Sequence, residues 1–379
     1  MGDVGPARSH PALWRRTEGD GAALDSVRGR VYCRRTNGES TLASLPLLPL
    51  ADKPRLVGIA RRASEGDSLR EGHNVEYFTL ENKSLLNRCV SRRALPFTWT
   101  INPYRGCEFA CRYCYARYTH EFMEMRDGVD FERKIYVKQH AASLLRHELR
   151  RVKPDESIAL GTATDPYQPA ERRYEVTRGI LEEFTRQEGF ELGIVTKSNL
   201  VIRDLDLLKQ IARSNKLSIH ITVTTLDADL ARILEPRAPR PDLRLEAVRA
   251  LRQAGLRVGI SCSPVLPGIT DSHGNLESVV RAAAQAGAEY VFANPLFLKP
   301  CSAAVFLPFL EQNFPHLVES YRQRYRGRAF LPPAYAKRLS QLVKSLRVKY
   351  RVIRAHRHDR PAFATKWPMP LFDQQMDLF

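Results

Sequence analysis

Three of the seven cysteines crowd into eight positions of this chain. Cys107, Cys111 and Cys114 form a C-x3-C-x2-C pattern within Asn102-Pro103-Tyr104-Arg105-Gly106-Cys107-Glu108-Phe109-Ala110-Cys111-Arg112-Tyr113-Cys114-Tyr115. A loop this short brings all three sulfurs to one side, where they can wrap a single inorganic centre. Structural zinc takes four ligands, usually from two separated pairs, and the sequence has no second pair. A four-iron cluster held by only three cysteines leaves one iron free for a substrate or cofactor. The competing reading is a zinc site completed by Cys89, His120 or another distant residue. The other cysteines, Cys33, Cys89, Cys262 and Cys301, are scattered. An odd total with one tight triplet points to a metal or redox site and away from disulfides.

Such a loop needs a frame. Short β-branched runs predict strands at residues 98–101, 157–164, 191–196, 217–225, 257–263 and 290–294. Apolar residues at helical spacing predict helices at 137–152, 176–187, 201–213, 243–254 and 276–286. The triplet directly follows the first of these strands. Strand and helix alternating in this way imply parallel βα units, in an open doubly wound sheet or a whole or partial barrel. Gly255 and Gly287 each close a helix and precede a strand, as glycine C-caps do. After Pro300 the alternation stops, and helices are predicted at 303–314, 318–325 and 334–350.

The 379 residues are enough to bury a sizeable core, and 43% hydrophobic with 27% charged residues describes a soluble globular chain. Residues 1–74 mix Gly, Pro, Ser, Arg and Asp without periodicity and are expected to be largely disordered. The resulting organisation is an N-terminal extension (1–74), a lead-in (75–97), a core (98–300), a basic helical C-terminal extension (301–366) and a flexible tail (367–379). The first twenty residues hold no apolar targeting segment, and no stretch approaches the ~18 apolar residues of a membrane span. A cytoplasmic protein with no membrane partner is expected.

The net charge of +17 is uneven. Residues 1–74 contribute +3 and residues 75–315 contribute +4, whereas 316–366 carry 14 basic against 2 acidic side chains. Across 322–360 the bases interleave with aromatics, among them Arg322, Arg324, Tyr325, Arg326, Arg328, Phe330, Lys344, Arg347, Lys349 and Tyr350. Cations neutralise phosphates and aromatics stack on exposed bases, so this segment is read as a nucleic-acid-binding appendage, with DNA the expected partner. Self-pairing cannot neutralise so one-sided a composition.

The C-x3-C-x2-C loop, with an aromatic before its last cysteine and a strand ahead of it, resembles the radical S-adenosylmethionine (SAM) superfamily. Asn-Pro-Tyr-Arg-Gly-Cys at 102–107, Gly-Thr-Ala-Thr-Asp-Pro-Tyr-Gln-Pro at 161–169, Thr-Lys-Ser at 196–198, Thr-Thr-Leu-Asp at 224–227 and Leu-Glu-Pro-Arg-Ala at 234–238 look like its spore photoproduct lyase-like branch. The resemblance spans about residues 95–330 and implies an α/β fold, a partial (β/α)6 TIM-type barrel of the radical SAM type. The site would lie at the carboxyl ends of its strands.

It also implies a division of labour. Cys107, Cys111 and Cys114 would hold a [4Fe-4S] cluster. SAM would chelate the open iron, and one electron from a flavodoxin or ferredoxin-type donor would split its C–S bond to a 5'-deoxyadenosyl radical. The backbone near Tyr113 would meet the adenine, and Lys197 suits the SAM carboxylate. Further SAM-binding candidates at strand ends are Thr162, Thr164, Asp165, Ser198, Thr224, Ser261 and Asn294. Thr162 and Thr164 are expected on one face of the second strand by alternation. His120 and Glu121 read as a solvated helix start. Spore photoproduct lyase is expected to carry a hydrogen-donating cysteine just after its second strand. Residues 160–165 have none, which leaves Cys262 as a candidate donor.

The last residues, Gln375-Met376-Asp377-Leu378-Phe379, resemble the peptide that docks bacterial polymerases and repair proteins on the β sliding clamp. Two other functions stay open: a radical SAM enzyme acting on a protein or metabolite, and a non-catalytic zinc protein that binds nucleic acid.

Overall fold

The computed structural model describes residues 56–72, 75–89, 95–153 and 156–352. The clamp-like peptide at 375–379, residues 353–360 of the basic segment and most of the N-terminal extension lie outside them. Among the described residues eleven strands fall into two sheets. In chain order they are β1 (Ser68–Gly72), β2 (Val75–Leu80), β3 (Leu86–Arg88), β4 (Trp99–Ile101), β5 (Tyr104–Arg105), β6 (Lys134–Lys138), β7 (Ser157–Leu160), β8 (Glu191–Thr196), β9 (Lys216–Thr222), β10 (Val258–Val265) and β11 (Val291–Pro295).

The larger sheet runs β11-β10-β9-β8-β7-β4-β3. Its members from β4 to β11 are parallel, and β3 closes the edge antiparallel to β4. This is the expected partial barrel, with strand order following chain order as right-handed βα units require. Alternation divides its residues between two environments. Ile158, Leu160, Leu192, Ile194, Ile219, Ile221, Val258, Ile260 and Val291 join the hydrophobic core packed under the helices. The opposite face looks into the barrel, where register aligns Thr222 with Ser261 and Ser261 with Phe292.

The smaller sheet, ordered β1-β2-β6-β5, has no counterpart in the sequence reading. It overturns two expectations. Residues 58–72, assigned to a disordered extension, form a helix (Gly58–Ser64) and β1. The helix expected over 137–152 begins instead as β6, whose Ile-Tyr-Val run suits a buried pleated surface, and the helix itself starts at Ala141.

A further correction concerns the second barrel strand. β7 stops at Leu160 because Gly161 turns the chain at φ +89°, where a Cβ would lie 2.5 Å from the Pro166 ring and 2.6 Å from the Val195 carbonyl. Thr162 and Thr164 therefore belong to a loop, and strand alternation does not govern them. The basic helix expected over 334–350 is present at Pro333–Lys349 and packs on the barrel. Leu339, Val343 and Leu346 of the helix Pro333–Lys349 sit in the barrel's main core. Its far end is tied down by Lys349 and Tyr350, which donate to Glu277 at 2.5 and 2.7 Å. No helix among the described residues is long and apolar enough to cross a membrane.

Candidate active site

The cysteine loop leaves β5 through Gly106, at φ +85°, where a Cβ would come within 2.7 Å of the Lys134 carbonyl. Backbone bonds hold the loop on two sides: Cys107 N–H donates to Phe131 O at 2.9 Å, and Arg112 N–H donates to Leu234 O at 2.9 Å. Ser302 donates to the Cys114 carbonyl at 2.8 Å. The buried Arg117 guanidinium donates to the Cys111 carbonyl at 3.0 Å and is neutralised by Glu132 at 2.6 Å. Cys107 and Cys111 are buried and Cys114 is partly so.

Burial raises the pKa of all three thiols, to about 12 for Cys111, and the neighbouring cysteines add to the rise at Cys107 and Cys111. They lie within electrostatic reach of each other, yet among the described residues no three His, Cys, Asp or Glu side chains converge as one metal ion requires. A four-iron cluster gives each thiolate its own iron and needs them spread around one space. Three thiolates supplied by one loop fit such a cluster and leave its fourth iron open. Metal charge would also supply what these thiols lack, a reason to ionise.

The segment after β7 braces the loop. Thr164 donates to the Gly106 carbonyl at 2.6 Å. Gln168, fully buried, donates to the same carbonyl at 3.2 Å and to Thr164 at 2.9 Å, and accepts from Glu108 N–H at 2.9 Å. Glu108 in turn accepts from Ala170 N–H and Tyr77. Asp165 locks this segment to β8, accepting from Thr196 at 2.6 Å, Lys197 N–H at 2.7 Å and Tyr167 N–H at 2.9 Å. Burial raises its pKa despite these donors. Thr164 and Asp165 thus hold the loop in place. Thr162 lies at the rim, its carbonyl accepting from Tyr115 and its hydroxyl from Asn102.

Next to Cys111 a second group converges. Tyr113 is buried and donates to Glu235, which also accepts from Thr224 at 3.4 Å. Glu235 forms a fully buried ion pair with Arg244 at 2.5 Å. Burial opposes the Glu235 charge, but Arg244 and Lys197 together hold its pKa below the usual range. The Lys197 ammonium stands 5.8 Å over the Tyr113 ring and forms no ion pair or hydrogen bond among the described residues. Burial works against its charge, and the negative potential of Cys111 and Glu235 more than offsets that, raising its pKa. An unpaired lysine facing the cysteines is suited to a carboxylate.

The other predicted residues separate. Ser198 caps the 3-10 turn Asn199–Asp204, accepting from Leu200 N–H. Ser261 is buried on the inner face of β10, whereas Asn294 is exposed and bonded to Ser263. Cys262 is corrected: alternation puts it opposite Ser261, in the core under the helices, so its thiol faces away from the barrel interior. His120 is also corrected, because it is 1% exposed and bonded to the Lys134 carbonyl, not at a solvated helix start. Glu235, Arg244, Gln168 and Arg117 escaped sequence reasoning as site residues, although Glu235 and Gln168 sit within motifs it had singled out.

The family model for the radical SAM superfamily matches residues 101–277. An uncharacterized protein of Mycobacterium tuberculosis is 41% identical over 280 residues, covering 74% of this chain and 82% of that protein. An uncharacterized protein of Methanocaldococcus jannaschii is 29% identical over 223 residues, covering 59% of this chain and 78% of its own length. Among solved structures, a spore photoproduct lyase mutant with bound AdoMet and dinucleoside spore photoproduct aligns with a TM-score of 0.57 at 15% identity, covering 72% of this chain and 79% of that one. That last likeness is one of fold.

Proposed function

The chain belongs to the radical SAM superfamily, whose members use a [4Fe-4S] cluster and SAM, and from that premise we propose that it acts on nucleic acid, on a lesion or modified base. Cys107, Cys111 and Cys114 would hold the cluster, with Lys197 and Tyr113 beside it to receive SAM. When bound, the pair supplies reductive cleavage of SAM to a 5'-deoxyadenosyl radical. The chain's part is to hold the loop rigid, keep water from it and orient the substrate.

One observation carries the nucleic-acid reading. Arg326 and Arg328, in the connection before the helix Pro333–Lys349, and Lys337, Arg338 and Lys344, on that helix, are exposed and form no ion pair among the described residues, and the other face of the helix is locked into the core. Unneutralised cations on so fixed a frame are an electrostatic footprint for a polyanion. The non-catalytic zinc reading loses its ground with the family assignment.

Dithionite-reduced, iron-reconstituted protein is expected to yield 5'-deoxyadenosine and methionine, and the Cys111→Ala variant neither. Neutralising Lys337, Arg338 and Lys344 together should weaken binding to a single-stranded DNA oligonucleotide and reduce its salt slope by about 3. Salt-independent binding, or none, would overturn the nucleic-acid assignment in favour of a protein or metabolite substrate. The clamp-like reading of Gln375 to Phe379 rests on sequence alone, and deletion of those five residues should abolish retention on immobilised β clamp. Which small electron carrier, flavodoxin or ferredoxin, serves the cluster is decided by which one replaces dithionite.

A further inference from the structure

The smaller sheet turns one face toward the helix Gly58–Ser64 and the segment around Met123 and Met125. On that face Arg105 lies directly opposite Tyr136 in the β5–β6 ladder, and Lys138 follows two residues on, so alternation gives all three the same side. Arg62, on the covering helix, approaches Arg105 closely enough for the two cations to repel. Lys138 is 7% exposed. Its ammonium makes no hydrogen bond or ion pair among the described residues.

The nitrogens here are poorly served. Arg62 Nε and Arg105 Nε are buried without a hydrogen-bond partner, as are both amide atoms of Asn82, two residues beyond the Lys138 partner Leu80. The one carboxylate within electrostatic reach of Lys138 is Glu148, already committed to the Leu85 and Leu86 amides at 3.0 and 2.7 Å. Burial and the neighbouring Arg105 charge push the Lys138 pKa down to about 7. Buried cations are normally paired, because an unpaired one forfeits its hydration with nothing in return. Here the buried Lys138 and the two half-buried arginines, each with a buried and unpartnered Nε, have no free counter-ion, a cost that an outside negative charge would offset.

We propose that Arg62, Arg105 and Lys138 form an anion site that takes a backbone phosphate of the polynucleotide substrate. Guanidinium forks and an ammonium match phosphate oxygens in number and charge. Arg105 stands two residues before Cys107 and donates to the Thr119 carbonyl at 3.2 Å, on the strand that leads into the cysteine loop. A phosphate held there would anchor the strand beside the reaction centre, whereas the C-terminal cations hold it at a distance. This inference rests on the nucleic-acid reading above.

The test uses full-length protein with Arg62→Gln and Lys138→Met, leaving Arg105 and its loop intact. Inorganic phosphate should raise the thermal midpoint of the parent and not that of Lys138→Met. Without phosphate and at pH 6, where Lys138 is charged, Lys138→Met should melt higher than the parent, because an uncompensated buried charge has been removed. Each variant should bind a single-stranded DNA oligonucleotide about tenfold more weakly and lose about one from the salt slope. Unchanged affinity and slope, in a protein that does bind DNA, would sink the anion site and spare the nucleic-acid reading. A phosphate response lost in Lys138→Met, in a protein that binds no DNA, would do the reverse and overturn the polynucleotide as occupant. A lower midpoint for Lys138→Met would mean that its charge has a partner within the chain, and the proposal would fall.

Discussion

Replacing Glu235 with Gln is the most informative single perturbation of the site. Glu235 and Arg244 have side-chain exposures of 0% and 1% and meet at 2.5 Å. The substitution keeps shape and removes the charge, so Arg244 is left buried with only the Pro239 and Thr222 carbonyls, at 2.7 and 3.1 Å. Breaking a buried pair from one side costs about 3–5 kcal/mol, because the surviving charge is uncompensated. Urea unfolding of the apo-protein should report a loss in that range. The double variant Glu235→Leu/Arg244→Met should recover most of it, since an apolar pair of similar volume replaces the ions at little net cost. It should not recover SAM binding, because Tyr113 has lost its acceptor and Lys197 its nearby negative charge. The pH dependence has a defined sign. The Glu235 pKa is lower in the folded state, so its contribution is present above the unfolded carboxyl pKa and is lost as pH falls through the folded value. A cost below about 1 kcal/mol for Glu235→Gln, or no recovery in the double variant, would refute the claim that this ion pair anchors the site.

Gln168→Ala strips three hydrogen bonds from the brace behind Gly106 and Glu108. It should cost about 1–3 kcal/mol and lower the iron retained after reconstitution, measured per mole of protein; full iron retention would remove Gln168 from the loop's support. Lys197→Met should leave the cluster's absorbance intact and weaken SAM binding about tenfold or more, read by equilibrium dialysis; unchanged affinity would exclude the carboxylate contact. Burial depresses the His120 pKa to about 4 from 6.5. The unfolded chain therefore takes up its proton first as pH falls, and about 3 kcal/mol of stability should drain away between those two values. His120→Phe should flatten that part of the stability–pH profile, and an unaltered profile would contradict the assignment.

The radical SAM loop and its parallel frame were legible in sequence because both are local signals. Three cysteines within eight positions can only act together, and β-branched runs alternating with helical spacing mark βα units whichever partners they choose. The departures lie at element ends: helices start three or four residues away from expectation at Ala141, Leu205, His273 and Pro300, β9 stops at Thr222, and β7 ends early because Gly161 and Pro166 turn the chain sooner than its threonines suggest. What tertiary structure decided were pairings across long separations. Glu235 reaches Tyr113 across 122 residues and Gln168 reaches Gly106 across 62, and neither contact has a periodicity that a window of sequence could register. The fate of Cys262 turned on a single alternation step, which put its thiol under the helices and left Ser261 facing the barrel interior. The smaller sheet joins residues from 68 to 138, so the grouping of Arg62, Arg105 and Lys138 exists only once β2, β5 and β6 have paired. Residue types and spacing determine which chemistry the chain can host; the folded pairing of distant strands determines which side chains are present to serve it, because burial and charge are properties of neighbours in space.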